Sequence, residues 1–119
     1  CGKSFVINSI ADALTLKFCV KTGAHDPPPA IVLAAPTGLA ATQIKGSTIH
    51  SVFGIEVQHG RDSAMRPLKP RKLNMIRVLM KNVRLIIIDE LSMVSSITLA
   101  KINLRLQEIL DCNDEFGGM

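Results

Sequence analysis

The chain has 119 residues, of which 47% are hydrophobic and 20% are charged, so it can bury a core and fits a single domain. Its formal net charge is +4, and no apolar run comes near the ~20 residues that span a bilayer, which excludes a membrane-spanning helix. Three widely spaced cysteines, Cys1, Cys19 and Cys112, do not suit a disulfide framework or a zinc site and favour a reducing, intracellular setting.

The first predicted element is a helix over residues 4–22, which Gly23 ends. Its apolar residues recur at helical spacing and form one stripe: Ile7, Ile10, Ala11, Leu14 and Phe18. Gly2-Lys3-Ser4 stands directly before it, which is the closing half of a phosphate-binding loop, G-x-x-x-x-G-K-[ST]. The first glycine of that pattern would precede Cys1. Either the tripeptide is accidental, or the chain is a piece of a longer protein, cut inside its nucleotide site.

A buried strand is predicted over residues 30–35 (AIVLAA), because the run is short, continuous and apolar. After a turn at Pro36-Thr37-Gly38, two short helices are predicted over residues 39–44 and 49–53, the second capped by Ser47 or Thr48. These elements favour a layered α/β arrangement in the first half of the chain.

A polar, basic loop is predicted over residues 56–71, and a helix over residues 71–82 follows it. A second buried strand is predicted over residues 84–89 (RLIIID), and a last helix over residues 95–110, capped by Ser95 or Ser96. The last helix carries apolar residues on one face: Leu99, Ile102, Leu106 and Ile109. The order of elements predicts an α/β layer with parallel strands.

Basic residues are concentrated between Arg61 and Arg84, where eight Lys or Arg accompany one acid, Asp62. Such a stretch suits a nucleic-acid phosphate backbone electrostatically. A solvated basic loop and helix face would give the same pattern, and both interpretations stay open.

Two adjacent acids, Asp89 and Glu90, end the second apolar strand. The carboxyl end of a strand in a parallel sheet is where ligands bind, although ordinary strand-end acids facing water are the alternative. Consecutive strand residues point to opposite faces, so the two acids are expected to do different jobs unless the strand ends between them. With the Gly-Lys-Ser tripeptide upstream, we expect one to bind a metal and the other to act as a base.

Together these groups predict an ATP and Mg²⁺ site. The first backbone N–H groups of the helix face the phosphates, and Lys3 reaches the terminal phosphates as a point charge. The Ser4 hydroxyl ligates Mg²⁺, and Asp89 holds the same ion through water. Glu90 remains to orient and deprotonate the attacking water.

A third motif, APTGLAATQIKGSTIHSVFGI, follows the first strand. Small residues that would let a backbone approach closely are Gly38, Ala40 and Ala41. Hydroxyls that could contact phosphate belong to Thr37, Thr42, Ser47 and Thr48. Such groups position a nucleic-acid backbone without reading its sequence.

The order of GKS, APTGLAATQIKGSTIHSVFGI and LIIIDELSMV resembles the petite-integration-frequency helicase family of superfamily 1, to which Helitron transposon helicases belong. RecD-type helicases share the outline more loosely. The resemblance covers almost the full chain, and residues 56–71 are its least diagnostic part. It implies a partial RecA-like P-loop NTPase domain, with a parallel sheet flanked by helices.

The resemblance also implies residue roles. Nucleotide and Mg²⁺ would be held by Gly2, Lys3, Ser4 and Asp89, with Lys3 and Glu90 catalytic. Single-stranded DNA would lie along Pro36, Thr37, Gly38, Thr48 and His50. For His50, a buried packing role remains the alternative. The implied parent is a 5′-to-3′ ATP-driven DNA helicase of the nucleus or mitochondrion, acting in recombination, repair, telomere maintenance or transposition. No protein partner is indicated.

The chain departs from the family pattern in one residue, Cys1, where Thr or Gly is common. The first loop glycine, a motif near G-D-x-x-Q-L-P-P and a second RecA-like domain are absent from the 119 residues. The chain is therefore expected to be truncated at both ends and inactive alone. Two alternatives stay open: a RecD-like or other P-loop ATPase, and a non-catalytic remnant of a transposon or partial gene.

Overall fold

The computed structural model describes residues 2–22, 29–56 and 64–119, and the side chains of residues 19–22 are not described. The predicted helix stop at Gly23 lies outside these ranges, as do Cys1 and both Arg61 and Asp62 of the basic stretch.

Helices and strands alternate along the described segments much as the apolar patterns predicted. The helices are α1 (Gly2–Thr22), α2 (Gly38–Gln43), α3 (Ile49–Phe53), α4 (Pro70–Met80) and α5 (Ser96–Leu110). The strands are β1 (Ile31–Ala35), β2 (Ser47–Thr48) and β3 (Leu85–Ile88). Short 3₁₀ turns lie at Leu91–Met93 and Glu115–Gly118. Of these strands, β2 was not predicted, because two hydroxyl residues make no apolar run.

The described strands form one parallel sheet in the order β2-β1-β3. β1 pairs with β3 from Ile31 opposite Leu85 to Ala34 opposite Ile88, and β2 pairs with the last two residues of β1. The predicted parallel α/β layer is therefore confirmed, with its two apolar strands as neighbours. Because the strands are parallel, the segments that follow them all emerge at one edge of the sheet.

Two apolar clusters hold helices to the sheet. The larger cluster joins β1 to α3, α4 and α5, and its most deeply buried members are Ala34, Ile49, Phe53 and Ile102. The smaller cluster consists of Ala35, Ala40, Ala41 and Ile44, with Ile7 of α1 and Leu33 packed against it. Ala40 and Ala41 thus face the interior, so the expectation that they admit a close backbone approach is wrong.

The predicted apolar stripe of α1 is only partly buried. Ala11 is buried and Ile7 packs on the smaller cluster, whereas the side chain of Ile10 is 45% exposed. Asn8 Nδ2 donates to the carbonyl of Gln43 over 3.4 Å, which ties the first half of α1 to α2. Helical spacing therefore identified the helix but not how much of its stripe is covered.

Gly46 is required by the close approach of β2 to β1. A Cβ added there would lie 2.8 Å from the carbonyl carbon of Leu33, whereas one added at Gly38 would meet nothing within 4 Å. Gly46→Ala should lower the free energy of unfolding by about 1–3 kcal/mol, because the strand backbone must shift. Urea denaturation measures this, with Gly38→Ala as the matched control, expected to be neutral or stabilising by up to about 1 kcal/mol. Equal effects of the two substitutions would contradict the close packing.

Candidate active site

Three charged side chains from opposite ends of the chain meet at the carboxyl edge of the sheet. Lys3 Nζ at the start of α1 lies 2.9 Å from Asp89 Oδ1 and 2.7 Å from Glu90 Oε1. Asp89 is 6% exposed, whereas the side chain of Lys3 is 48% exposed and that of Glu90 is 39% exposed. The lysine therefore bridges one buried and one accessible carboxylate.

The backbone after β3 brings both carboxylates to the same side. The Asp89 N–H donates to the Ala34 carbonyl over 2.9 Å, which continues the β1–β3 pairing one residue past the strand. Glu90 then adopts left-handed backbone angles, with φ 54° and ψ 47°, and its N–H donates to Asp89 Oδ1 over 2.9 Å. Because β3 ends at Ile88, before both acids, their side chains converge on Lys3 instead of pointing to opposite faces of the sheet.

That left-handed turn carries a cost. A residue other than glycine in this region is disfavoured by about 1–2 kcal/mol. Glu90 has no glycine-like freedom, so the surrounding hydrogen bonds must hold it there, including the Met93 N–H that donates to its carbonyl over 2.9 Å. Strain of this kind is often found where a side chain must be aimed at a ligand.

The contacts fix the charge state of the cluster. Hydrogen bonds to Glu90 and then Asp89 raise the pKa of Lys3 above its ordinary 10.5. The hydrogen bond from Lys3 lowers the pKa of Asp89 below its ordinary 3.8, against the opposing effect of burial. At neutral pH the site therefore holds a cationic lysine beside an anionic Asp89. A second carboxylate on Glu90 leaves the cluster able to accept a further cation.

The first turn of α1 suits an anion. Its backbone N–H groups lack partners within the helix, and no acidic residue lies in that turn. Gly2 is exposed and Ser4 is half-buried on either side of Lys3. An anion bound here would sit beside Lys3 and within the field of the helix N-terminus.

The oxygen donors present fit a hard cation such as Mg²⁺. Ser4 supplies a hydroxyl, and Asp89 and Glu90 supply carboxylates, which are the ligand types that this ion takes in proteins. Within residues 2–22, 29–56 and 64–119, no group of three or more His, Cys, Asp or Glu side chains could hold a metal alone. An ion at this place would complete its ligand shell with water or with a bound phosphate.

The residues expected to contact DNA lie at the same edge. Pro36, Thr37 and Gly38 follow β1 directly, while Thr48 ends β2 and His50 lies in the first turn of α3. Ala35 and Thr48 are opposite each other in the β1–β2 pairing. With about 4.8 Å between neighbouring strands, the backbone of Thr48 at the end of β2 lies about 10 Å from that of Asp89, the residue after β3.

Two of these hydroxyls cap helices. Thr37 Oγ1 accepts from the Ala40 N–H over 3.2 Å at the start of α2, and Thr48 Oγ1 accepts from the Ser51 N–H over 3.3 Å at the start of α3. A hydroxyl that accepts can still donate its hydrogen to a phosphate. Thr42, in contrast, donates its hydroxyl to the Gly38 carbonyl over 2.9 Å. The caps hold Thr37 and Thr48 in fixed positions at the edge.

Neither Gly38 nor His50 is fully buried. Gly38 is exposed, and His50 is half-buried. The His50 carbonyl accepts from the Ile55 N–H over 3.0 Å, which fixes the end of α3. His50 is thus neither fully buried nor fully exposed, and a packing role for its side chain stays the alternative to DNA contact.

One buried cation was missed in the sequence. Arg105 is 2% exposed on the apolar face of α5, and its Nη1 lies 2.6 Å from Glu108 Oε2. Its Nη2 donates to the carbonyls of Gly54 over 3.3 Å and Arg66 over 3.2 Å. The available signal was its place between Ile102 and Ile109, within the predicted apolar stripe, where a charge needs a partner.

The sheet, the flanking helices and the lysine–acid cluster define the RecA-like class of α/β domains. The sequence profile of PIF1-like helicases matches residues 1–119, and the chain belongs to this family. In the described part of the chain, no helix is both long and apolar enough to cross a membrane.

Two curated relatives are similar over 99% of the chain. ATP-dependent DNA helicase PIF1 of Candida albicans is 33% identical, and the match covers 12% of that protein. ATP-dependent DNA helicase RRM3 of Saccharomyces cerevisiae is 29% identical, with 15% of that protein covered. The chain therefore spans only a small part of the length of either relative.

Two solved structures of Bacteroides Pif1 share the fold. The first, bound to single-stranded DNA, has a TM-score of 0.67 and 28% identity, covering 99% of this chain and 24% of that one. The second, a complex with ADP-AlF3 and single-stranded DNA, has a TM-score of 0.61 and 32% identity, covering 80% and 22%. These similarities confirm the RecA-like fold that the motifs implied.

Proposed function

We propose that this chain forms the nucleotide-binding part of an ATP-dependent DNA helicase that moves 5′ to 3′ along single-stranded DNA. The observation that carries the proposal is the meeting of Lys3 with Asp89 and Glu90 at the sheet edge where Thr37 and Thr48 also lie. Nucleotide hydrolysis and DNA binding would thus take place at the same edge of the three-stranded sheet. Relatives described as ATP-dependent DNA helicases support this assignment.

In the proposed mechanism, Lys3 exchanges its carboxylate partners for phosphate. The half-exposed ammonium can turn from Asp89 and Glu90 to the terminal phosphates of ATP, while Gly2 and Ser4 present backbone N–H groups to the same anion. Mg²⁺, when bound, neutralises charge on those phosphates. Ser4 and Asp89 would hold the ion.

Glu90 is proposed as the general base. Once Lys3 has left, the Glu90 carboxylate is 39% exposed and held by the left-handed turn, so it is placed to accept a proton from an attacking water. Asp89, buried and hydrogen-bonded by the Glu90 N–H, is positioned as the fixed member of the pair.

Coupling to DNA would pass through β1. Its last residue, Ala35, is buried between the nucleotide side, where β3 ends, and the DNA side, where β2 ends. A strand lying along Pro36, Thr37, Gly38, Thr48 and His50 would therefore contact the same rigid layer as the nucleotide. The direction of movement, a role in genome maintenance or transposition, and placement in the nucleus or mitochondrion rest on the family resemblance.

The proposal is tested with a longer protein that contains this chain. Its ATP turnover should rise several-fold when single-stranded DNA is added, and His50→Ala should reduce that rise while leaving the unstimulated rate unchanged. The 119 residues alone should not displace a DNA strand, because helicase work needs domains that close on the nucleotide. Equal turnover with and without DNA would indicate a P-loop ATPase with another substrate. Absence of turnover would indicate a non-catalytic remnant.

A further inference from the structure

A basic cavity lies beyond the end of α3, outside the lysine–acid cluster. Its volume is about 470 Å³. Among the described residues, its wall carries one acid, Glu56, and five basic side chains: Arg66, Lys69, Lys72, Lys101 and Arg105. A concave wall with such an excess of one charge attracts the opposite charge more strongly than a flat surface does.

The floor of the cavity is held by the buried Arg105. Its guanidinium binds the Gly54 carbonyl on one side and the Arg66 carbonyl on the other, and Glu108 balances its charge. Glu108 also accepts the Leu68 N–H over 2.9 Å through its second oxygen. Arg105 Nε is buried and has no hydrogen-bond partner in the described part of the chain. The wall is therefore built on a fixed cation rather than on mobile surface groups alone.

The start of α4 adds to the same potential. Lys69 stands at its N-cap and makes no side-chain capping bond, and no acidic residue lies in the first turn. Lys69 and Lys72 are both exposed at the cavity wall. The N-terminus of α4 and the two lysines therefore all make the electrostatic potential at the cavity wall more positive.

The rest of the basic stretch is used differently. Arg77 donates from Nε to the Ile109 carbonyl over 3.0 Å and from Nη2 to the Glu108 carbonyl over 2.9 Å, so it ties α4 to the end of α5. Lys81 and Arg84 are exposed and follow the far end of α4, about 16 Å from its start. The described part of the basic stretch therefore includes a cavity group, Arg66, Lys69 and Lys72, and a remote group, Lys81 and Arg84.

The cavity is close to the edge where DNA is proposed to lie. Gly54, which forms part of the wall, ends α3, and the His50 carbonyl binds the next N–H, that of Ile55. α3 has 5 residues and is therefore about 7.5 Å long. A strand that passes His50 would reach the cavity within one helix length.

We propose that this cavity binds a backbone phosphate of the single-stranded DNA that crosses the sheet edge. The inference rests on the proposed function, since it needs a strand beside His50. Lys69 and Lys72 contact the phosphate as point charges, while Arg105, whose charge Glu108 balances, fixes the wall. No aromatic side chain lines the described wall, so this contact is electrostatic and independent of sequence.

The test compares two double variants of a longer protein that contains the chain. Lys69→Gln/Lys72→Gln removes two charges at the cavity, and Lys81→Gln/Arg84→Gln removes two from the remote group. Binding of a labelled oligothymidine is followed by fluorescence anisotropy between about 50 and 200 mM salt. In the cavity variant, the slope of the logarithm of the DNA association constant against the logarithm of the salt concentration should be less steep by at least about 0.7. This is the value for one phosphate contact on a single strand. The remote variant should keep the wild-type slope.

The outcomes separate this inference from the proposed function. If the wild-type protein does not bind the oligonucleotide, both the proposed function and the cavity assignment are wrong. Wild-type binding with equal slopes in both variants, or with a flatter slope in the remote variant only, would overturn the cavity assignment alone. Titration with inorganic phosphate tests whether the cavity is a site for a free anion instead. The cavity assignment would also be overturned if the wild-type protein binds phosphate saturably and the cavity variant does not, while the salt dependence of DNA binding is the same in both. Unstimulated ATP turnover should be unchanged in the remote variant, since Lys81 and Arg84 lie outside both the cavity and the lysine–acid cluster.

Discussion

Lys3→Ala should lower ATP turnover of a longer protein containing this chain by at least about 10²–10³-fold, the loss that follows removal of one preorganised charge at a reacting group. The ammonium of Lys3 is the cation that lies between the two carboxylates, at 2.9 Å from Asp89 and 2.7 Å from Glu90. Without it, both acids would face the triphosphate with no lysine between them. We therefore expect weaker nucleotide binding as well as slower hydrolysis.

Lys17→Ala is the matched control for this substitution. Lys17 is exposed on the same helix and carries the same charge, but it lies about four helical turns from the cluster. Turnover is measured as phosphate release at saturating ATP, and the control should behave like the wild type. A Lys3→Ala protein that keeps more than a tenth of wild-type turnover would contradict the proposed role of Lys3.

Glu90→Gln should leave ATP binding in place and lower the hydrolysis rate by about 10²–10⁴-fold, the usual contribution of a general base. The amide has nearly the size of the carboxylate and can still accept a hydrogen bond from Lys3, but it cannot take a proton from water. Turnover should therefore fall while the dissociation constant for ATP stays within a few-fold of the wild type.

The control for Glu90→Gln is Glu115→Gln, an exposed acid in the last 3₁₀ turn of the chain. Nucleotide binding is measured with a fluorescent ATP analogue and hydrolysis by phosphate release. If Glu90→Gln hydrolyses ATP at the wild-type rate, the base is another group and the assignment of Glu90 is wrong.

The sequence predicted the sheet well because its two main strands are continuous apolar runs. AIVLAA and LIII are typical of strands in a covered parallel sheet, and the structure pairs β1 with β3. Only the last two residues of β1 are buried, however, and those of β3 are half-buried. β2 was missed because Ser47 and Thr48 pair with β1 through their backbones, and a backbone contact leaves no mark in side-chain hydropathy. Thr48 does cap α3, as one of the two predicted candidates.

The candidate site was predicted in composition but not in geometry. Gly-Lys-Ser and Asp-Glu are local motifs, so their residues could be named from the sequence alone. The direction of the Glu90 side chain depends on left-handed backbone angles at Glu90. Glutamate rarely adopts these angles, so the residue type does not predict them. The sequence predicted that Lys3 and the two acids share one site, but the turn that brings the Glu90 side chain beside Asp89 required the structure.

Arg105 shows a different limit of prediction from the sequence. Periodicity places Ile102, Leu106 and Ile109 on the buried face of α5, and the same periodicity places Arg105 there. Charged residues are rarely buried without a partner, so the residue type alone predicts exposure. Its partners are Glu108 and two backbone carbonyls more than thirty positions earlier, at Gly54 and Arg66. Leu99, predicted for the same face, is 36% exposed instead.

The most direct measurement is a crystal structure of a longer protein containing this chain, bound to Mg²⁺ and an ADP–aluminium fluoride complex. We expect Lys3 Nζ to leave its positions 2.9 Å from Asp89 and 2.7 Å from Glu90 and to contact the terminal phosphate mimic, with Ser4 and Asp89 beside one metal ion. A nucleotide bound elsewhere, with Lys3 still paired to both acids, would contradict the assignment of this edge as the ATP site.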